Sequence, residues 1–229
     1  MLPVTGQVLV TGANSGGGAA LSSPELYTPV TGTWAVTGQM NTPRIDATAT
    51  LLPDGQVLIA GGTGATAAAE LYNPATGKFT VTGSMSAPRG GNVGTLLPDG
   101  DVLVTQGAPA FAERYHPATG RWSNASTGLA ACISTMECRM FSTATLLPTG
   151  NVLVAGGLVG LVSNPQTTPS AILYHPDTNT WTSTGNMTTG RENQTATLLP
   201  GGQVLMAGGT LFDHPHAPVF LASAELYTP

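Results

Sequence analysis

The chain has 229 residues and a formal net charge of −5, with its seven Lys and Arg scattered singly, so it lacks the cationic cluster that nucleic acid requires. Charged residues make up only 8%, but hydrophobics reach 41% beside 30 Gly and 18 Pro, which excludes a disordered chain and points to many short strands and turns. No apolar run approaches the ~20 residues of a membrane-spanning helix, and MLPVTGQVLV at the start lacks the charged and apolar regions of a signal peptide.

The first element, LPVTGQVLVTG from Leu2, is a turn running into an apolar strand. Fuller copies follow: TATLLPDGQVLIAGG from Thr48, NVGTLLPDGDVLVTQG from Asn92, TATLLPTGNVLVAGG from Thr143 and TATLLPGGQVLMAGG from Thr195. Their second leucines, Leu52, Leu97, Leu147 and Leu199, are spaced 45, 50 and 52. Each copy predicts four strands. Strand a is TATLL, small and β-branched. A tight turn follows at Asp54-Gly55, Asp99-Gly100, Thr149-Gly150 and Gly201-Gly202, where glycine supplies a positive φ. Strand b is a continuous apolar run such as VLIA, as expected of a strand buried on both faces. Strand c carries the tyrosines Tyr27, Tyr72, Tyr115, Tyr174 and Tyr227. After a Pro-containing turn, strand d carries Trp34, Phe79, Trp122 or Trp181.

A period near 50 with four strands per copy points to a β-propeller. The double glycine, the Tyr after it and the Trp beyond the next turn resemble the kelch repeat. The LPDG variety is similar to bacterial kelch proteins and to the propeller of galactose oxidase. The resemblance covers the whole chain. It implies an all-β kelch-type β-propeller, one domain over 1–229, with five repeats of four-stranded blades at about 1–43, 44–88, 89–138, 139–190 and 191–229. Two copies depart from the pattern: Gly12 stands alone after Thr11, and Gln106 replaces the first glycine of its pair.

The first and last blades are expected to be incomplete, the first lacking most of strand a and the last lacking strand d. Two arrangements stay open: a five-bladed ring with two thin blades, or part of a larger propeller whose open strand edges self-associate.

The repeat absorbs most reactive residues. Arg44, Arg89, Arg139 and Arg191 share one register, seven positions before the first Leu of the next blade, and Glu25, Glu70, Glu113 and Glu225 share the strand-c register. A buried charge needs a partner, so these predict a polar network tying blades together; the alternative is a ring of arginines facing an anion. Galactose oxidase places copper between tyrosines and histidines beside a Tyr–Cys crosslink. Here no tyrosine lies outside the repeat register, so the resemblance implies the fold without that chemistry, and no cofactor is expected. His116 and His175 read as turn residues.

What interrupts the repeat is left for function. The b–c and d–a loops share one face, and loops on a rigid scaffold are the default place for recognition. The long loops of blades 4, 5 and 1 are expected to form a wall. Candidate ligand-binding residues are Phe212, Asp213, His214, His216 and Phe220 in blade 5, with Leu158, Val159, Leu161 and Val162 in blade 4. At the tops of the inner strands the candidates are Asp46, Asn92, Phe141, Glu192 and Asn193. Asp213, His214 and His216 also offer a sparse metal-ligand set. Cys132 and Cys138, six apart in one loop, form either a small disulfide ring or two free thiols.

The expected function is a non-catalytic binding module for a protein or carbohydrate ligand. The alternatives are a metal- or carboxylate-assisted enzyme on the same face that uses Glu192, Asp213, His214 and His216, and a propeller fragment or engineered repeat assembly that is complete only as an oligomer. Few charges and much Thr, Ser, Asn and Gly suit a secreted or cell-surface protein. The ligand stays open.

Overall fold

The computed structural model describes residues 1–3, 5–15, 18–62, 66–106, 112–125, 139–160, 164–213 and 215–229. They form an all-β, five-bladed propeller. Blade 1 has strands b, c and d at Val8–Val10, Glu25–Thr28 and Thr33–Val36. Blade 2 is complete: Thr48–Leu51, Val57–Ala60, Ala69–Asn73 and Lys78–Thr82. So are blade 3 (Val93–Leu96, Val102–Thr105, Glu113–His116, Arg121–Asn124) and blade 4 (Thr143–Leu146, Val152–Ala155, Ala171–His175, Thr180–Ser183). Blade 5 has a, b and c at Thr195–Leu198, Val204–Ala207 and Ala224–Tyr227. Every pairing within a blade is antiparallel between neighbours in the order a-b-c-d. No helix among the described residues is long and apolar enough to cross a membrane.

Strand alternation explains the core. Strand b is buried throughout in blades 2, 3 and 4, because its two faces serve two junctions. Val57 and Ile59 pack toward blade 1, with Leu2, Met40 and Tyr72. Leu58 and Ala60 pack toward blade 3, with Val102, Val104 and Tyr115. The same split puts Leu103 with Val152 and Val154, and Leu153 with Val204 and Met206. Four clusters thus fill the four junctions from blade 1 to blade 5.

The aromatic signature closes each blade on its outer side. Tyr and the strand-d ring sit directly opposite in register in blades 1 to 4. Their centroids lie 4.8–5.1 Å apart at a tilt, an arrangement that adds about 0.5–1.5 kcal/mol beyond area burial. The outer ring also grips the preceding blade. Trp122 Nε1 donates to the Gly83 carbonyl and Trp181 Nε1 to the Ala125 carbonyl. Tyr72 and Tyr115 share hydroxyl hydrogen bonds with Thr37 and Thr82.

Candidate functional site

The loop face rests on a linker that follows strand d and is built from the register of Arg and Glu. Arg44 donates through Nη1 to the carbonyls of Gly61 (2.7 Å) and Ala68 (2.8 Å) and through Nη2 to Glu70 (3.1 Å). Glu70 also accepts from the Asn41 backbone and amide and from the Thr42 N–H. Neither side chain of the pair is exposed. Burial would raise the Glu70 pKa, but the bonds from Asn41 and Arg44 outweigh it and hold the carboxyl below its usual range. Arg89–Glu113 and Arg191–Glu225 repeat the pair. Blade 4 has Ile172 in the Glu position, and Arg139 turns to the Gly156 and Ser170 carbonyls and the Ser170 hydroxyl. These arginines therefore bind within their own blades, and it is Glu70, Glu113 and Glu225 that reach the preceding blade by accepting from Asn41 and Thr42, Ser86 and Thr188. With their guanidinium groups so engaged, the arginines form no ring for an anion.

Beside the linker, each inner strand is entered through one left-handed residue, two positions before strand a. The four are Asp46 (φ 55°), Gly91 (φ 64°), Phe141 (φ 59°) and Asn193 (φ 53°). They are linked in two pairs: Gly91 N–H donates to the Asp46 carbonyl (3.3 Å) and Asn193 N–H to the Phe141 carbonyl (3.0 Å). A Cβ on Gly91 would lie 3.7 Å from the Phe141 ring. Asp and Asn tolerate this conformation, but a bulky residue held there is strained by order 1–3 kcal/mol. The Phe141 ring is nonetheless 42% exposed, and Asp46 and Asn193 are exposed as well.

The next residue is structural. Asn92 is buried and its amide donates to the Ala60 carbonyl, and Gln194 does the same to Ala155. Asn92, a candidate on sequence, is therefore turned into the junction and away from the loop surface. This bond also accounts for the first glycine of the pair. A Cβ on Gly61 would lie 2.5 Å from Asn92 Oδ1, and one on Gly156 the same distance from Gln194 Nε2. In blade 3 the link is inverted. Gln106 supplies the amide, donating to the Ser142 carbonyl and accepting from the Ser142 N–H, and Ser142 is small enough to receive it.

The wall expected on sequence forms between blades 4 and 5. Leu158–Val159 pairs with Gln166–Thr167, and Thr210–Leu211 pairs with Val219–Phe220. Thr167 N–H donates to the Phe212 carbonyl (2.8 Å), Phe212 N–H to Thr167 Oγ1 (3.3 Å), and Gln166 bridges Asp213. At the crest Val219 is 54% and Phe220 86% exposed. The Asn14–Ser15 and Ala19–Ala20 hairpin of blade 1 makes no hydrogen bond to blade 5 among the described residues. Glu192 lies between belt and wall, its backbone bonded both ways to Thr210. Burial pushes its carboxyl pKa up, and no hydrogen bond reaches that carboxyl among the described residues.

Asp213 and His216 are both well exposed, with 3.9 Å between Oδ2 and Nδ1, and the Asp213 carbonyl accepts from the His216 N–H. His214, Cys132, Cys138, Leu161 and Val162 lie outside the described residues. Among the described residues no three His, Cys, Asp or Glu gather as metal ligands. His116 and His175 sit on the opposite face, bound to Asp101 and Ser123 and to Asn151 and Thr182.

No protein-family model matches the sequence, and no curated protein matches it. Among solved structures, a fungal alcohol oxidase of the AA5 family in complex with copper is similar at 16% identity and a TM-score of 0.61. The alignment covers 100% of this chain and 62% of that one, so this chain spans less than two thirds of its length. At that identity the likeness carries the fold alone. The described residues do not fit copper. Tyr72, Tyr115, Tyr174 and Tyr227 spend their hydroxyls on Thr37, Thr82, Asn179 and Thr184, and His116 and His175 are engaged with Asp101, Ser123, Asn151 and Thr182.

Proposed function

We propose that the protein is a binding module whose ligand face is the left-handed belt and the adjoining wall, and that its ligand is a carbohydrate. The observation that carries this reading is Phe141. A large ring is held in a strained backbone conformation and kept on the surface between Gly91 and Asn193, although glycine stands at the matching position of blade 3. Strain kept where a simpler residue fits is a mark of function. An open aromatic face on a belt that also presents an exposed carboxylate and an exposed amide suits a sugar, whose C–H face stacks on the ring while its hydroxyls are hydrogen-bonded from the side.

The test joins binding to stability. Phe141→Gly relieves the left-handed strain and should stabilise the fold by about 1 kcal/mol once the added freedom of the unfolded chain is subtracted. It should also weaken capture on an array of immobilised glycans at least tenfold. If glycan binding survives in Phe141→Gly and in Asp46→Ala, the belt is not the site. Capture of proteins alone, with no glycan bound, would transfer the role to a protein partner.

Glu192 favours a second reading, an enzyme on the same face. A half-buried carboxyl with a raised pKa can hold the proton that a general acid needs. Turnover of a captured glycan that is lost in Glu192→Gln, with binding retained, would establish this reading over the first.

A further inference from the structure

Three neighbouring strands of blade 3 bring a serine, a histidine and an aspartate into one hydrogen-bonded line at its outer corner, on the face opposite the loops. Strand alternation puts them there. Val102 pairs with Tyr115, so Asp101, one residue ahead of strand b, comes beside His116. His116 and Arg114 share a face of strand c, with Arg121 and Ser123 of strand d opposite them. Asp101 Oδ2 lies 2.6 Å from His116 Nδ1, and Ser123 Oγ lies 2.7 Å from His116 Nε2. Arg114 donates through Nε to the same Oδ2 (2.7 Å), pairs with Asp99, and reaches the Pro176 carbonyl of blade 4 (3.1 Å). Ser123 is exposed, so the line ends on a hydroxyl open to solvent.

The corner does not need a histidine to close. Its counterparts in blades 1 and 5 are a Gln that donates to a Thr, Gln7 to Thr28 and Gln203 to Thr228, each at 3.0 Å. Blade 4 has the histidine with different neighbours: His175 lies 3.1 Å from Asn151 Oδ1 and 2.8 Å from Thr182 Oγ1. An amide side chain can accept or donate, so it leaves the imidazole tautomer open. A carboxylate only accepts. In blade 3 the Nδ1 atom therefore carries the proton, and Nε2 is left to accept from the Ser123 hydroxyl. Carboxylate, oriented imidazole and hydroxyl occur together in blade 3 alone among the described residues.

We propose that Ser123, His116 and Asp101 form a second functional site, a hydrolytic centre for small carboxylic esters. The Ser123 oxygen bonds to the ester carbonyl carbon while its proton passes to His116 Nε2. The tetrahedral intermediate then breaks its C–O bond to the alcohol, which leaves with that proton. Water adds to the acyl-serine, giving a proton to Nε2, and Ser123 departs with that proton as the carboxylic acid is released. Asp101 is a positioning residue: it holds the Nδ1 proton and faces the imidazolium formed in each half of the cycle. Arg121, exposed and opposite His116 in register, sets a cation on the face where the carbonyl oxygen gains charge. Ser123 and Arg121 are both exposed, so substrate binding lends little energy to the reaction, which fits an ester in place of the more resistant amide.

The test uses the full chain with two probes, a fluorophosphonate that labels activated serines and p-nitrophenyl acetate as the ester. Mass spectrometry should place the label on Ser123, and His116→Gln should slow labelling at least tenfold. Ser123→Ala removes one exposed hydroxyl, so the fold should melt as the parent does while ester turnover falls at least tenfold. Asp101→Asn gives blade 3 the amide of blade 4 and should lower kcat at least tenfold with KM unchanged. No label on Ser123, labelling of His116→Gln at the parent rate, or unchanged ester turnover in Ser123→Ala overturns the proposal. A rise in KM with kcat intact in Asp101→Asn would also overturn it, leaving the three side chains as a lock on the outer corner of the blade.

Discussion

Trp181 and Trp34 occupy the same position of the repeat, yet Trp181 is 8% exposed and Trp34 54%. Trp181 donates its indole N–H to the preceding blade. Trp34 belongs to blade 1, whose face away from blade 2 carries Val10 (46% exposed) and Val36 (71%) beside Glu25. Glu25 and Glu70 differ in the same way. Glu70 is buried, holding Arg44 and two backbone N–H groups. Glu25 is exposed, with no ion pair among the described residues. Identical motifs thus acquire opposite roles, because burial comes from the neighbouring blade and not from the motif. In a repeat architecture stability is a sum of units and interfaces; each of the four interfaces here has an apolar cluster, and three of them add an Arg–Glu clasp.

The largest contrast should come from the clasp. Arg89→Ala leaves Glu113 buried without its partner and should cost about 3–5 kcal/mol, read as a fall in the urea midpoint. Arg121→Ala, whose position opens strand d on the exposed turn side, should stay within about 0.5 kcal/mol. An equal loss at both positions would break the distinction between clasp and surface.

The apolar half of the junction comes next. Leu58 is fully buried between blades 2 and 3, whereas Leu226 is 55% exposed. Leu58→Ala should cost about 2–5 kcal/mol, and Leu226→Ala no more than about 0.5 kcal/mol, measured by the same denaturation.

The smallest effect is in pH. The carboxyl pKa of Glu70 is held low in the folded protein, so its stabilisation is complete above the unfolded value near 4.5 and fades as the pH falls through the lower folded value. Glu192 has the opposite sign: its raised folded pKa means that stability is lost as the pH rises through it. Glu192→Gln should therefore raise the melting temperature at pH 7 and leave it unchanged at pH 3.5. A gain of equal size at both values would show that the carboxyl does not titrate differently on folding.

Much of the fold was legible in the sequence. The period, the four strands per copy, the Tyr–Trp pairs and the shared register of Arg and Glu all leave repeating marks. What could not be read depended on backbone angle or on neighbours. The left-handed belt is marked in sequence only by residue type, since Asp46, Gly91 and Asn193 tolerate the angle, and Phe141 at the same position hides even that mark. Asn92 stands with Asp46, Phe141 and Asn193 at the tops of the inner strands, but it lies one residue further on and its amide crosses into blade 2. Gln106 read as a departure from the glycine pair. It is the same interblade link supplied from the other side, which becomes visible only beside Ser142. The joined hairpins of blades 4 and 5 were foreseen as long loops, but their pairing through Thr167 and Phe212 carries no motif.

The most direct test places the two glutamates side by side. Glu70→Gln and Glu25→Gln make the same chemical change at the same repeat position, each followed by urea denaturation at pH 7. The account predicts a loss of about 3–5 kcal/mol for Glu70→Gln, which strands the buried Arg44 charge, and a change within about 0.5 kcal/mol for Glu25→Gln. Equal losses would contradict it, because Glu25 would then be held by a blade junction as Glu70 is.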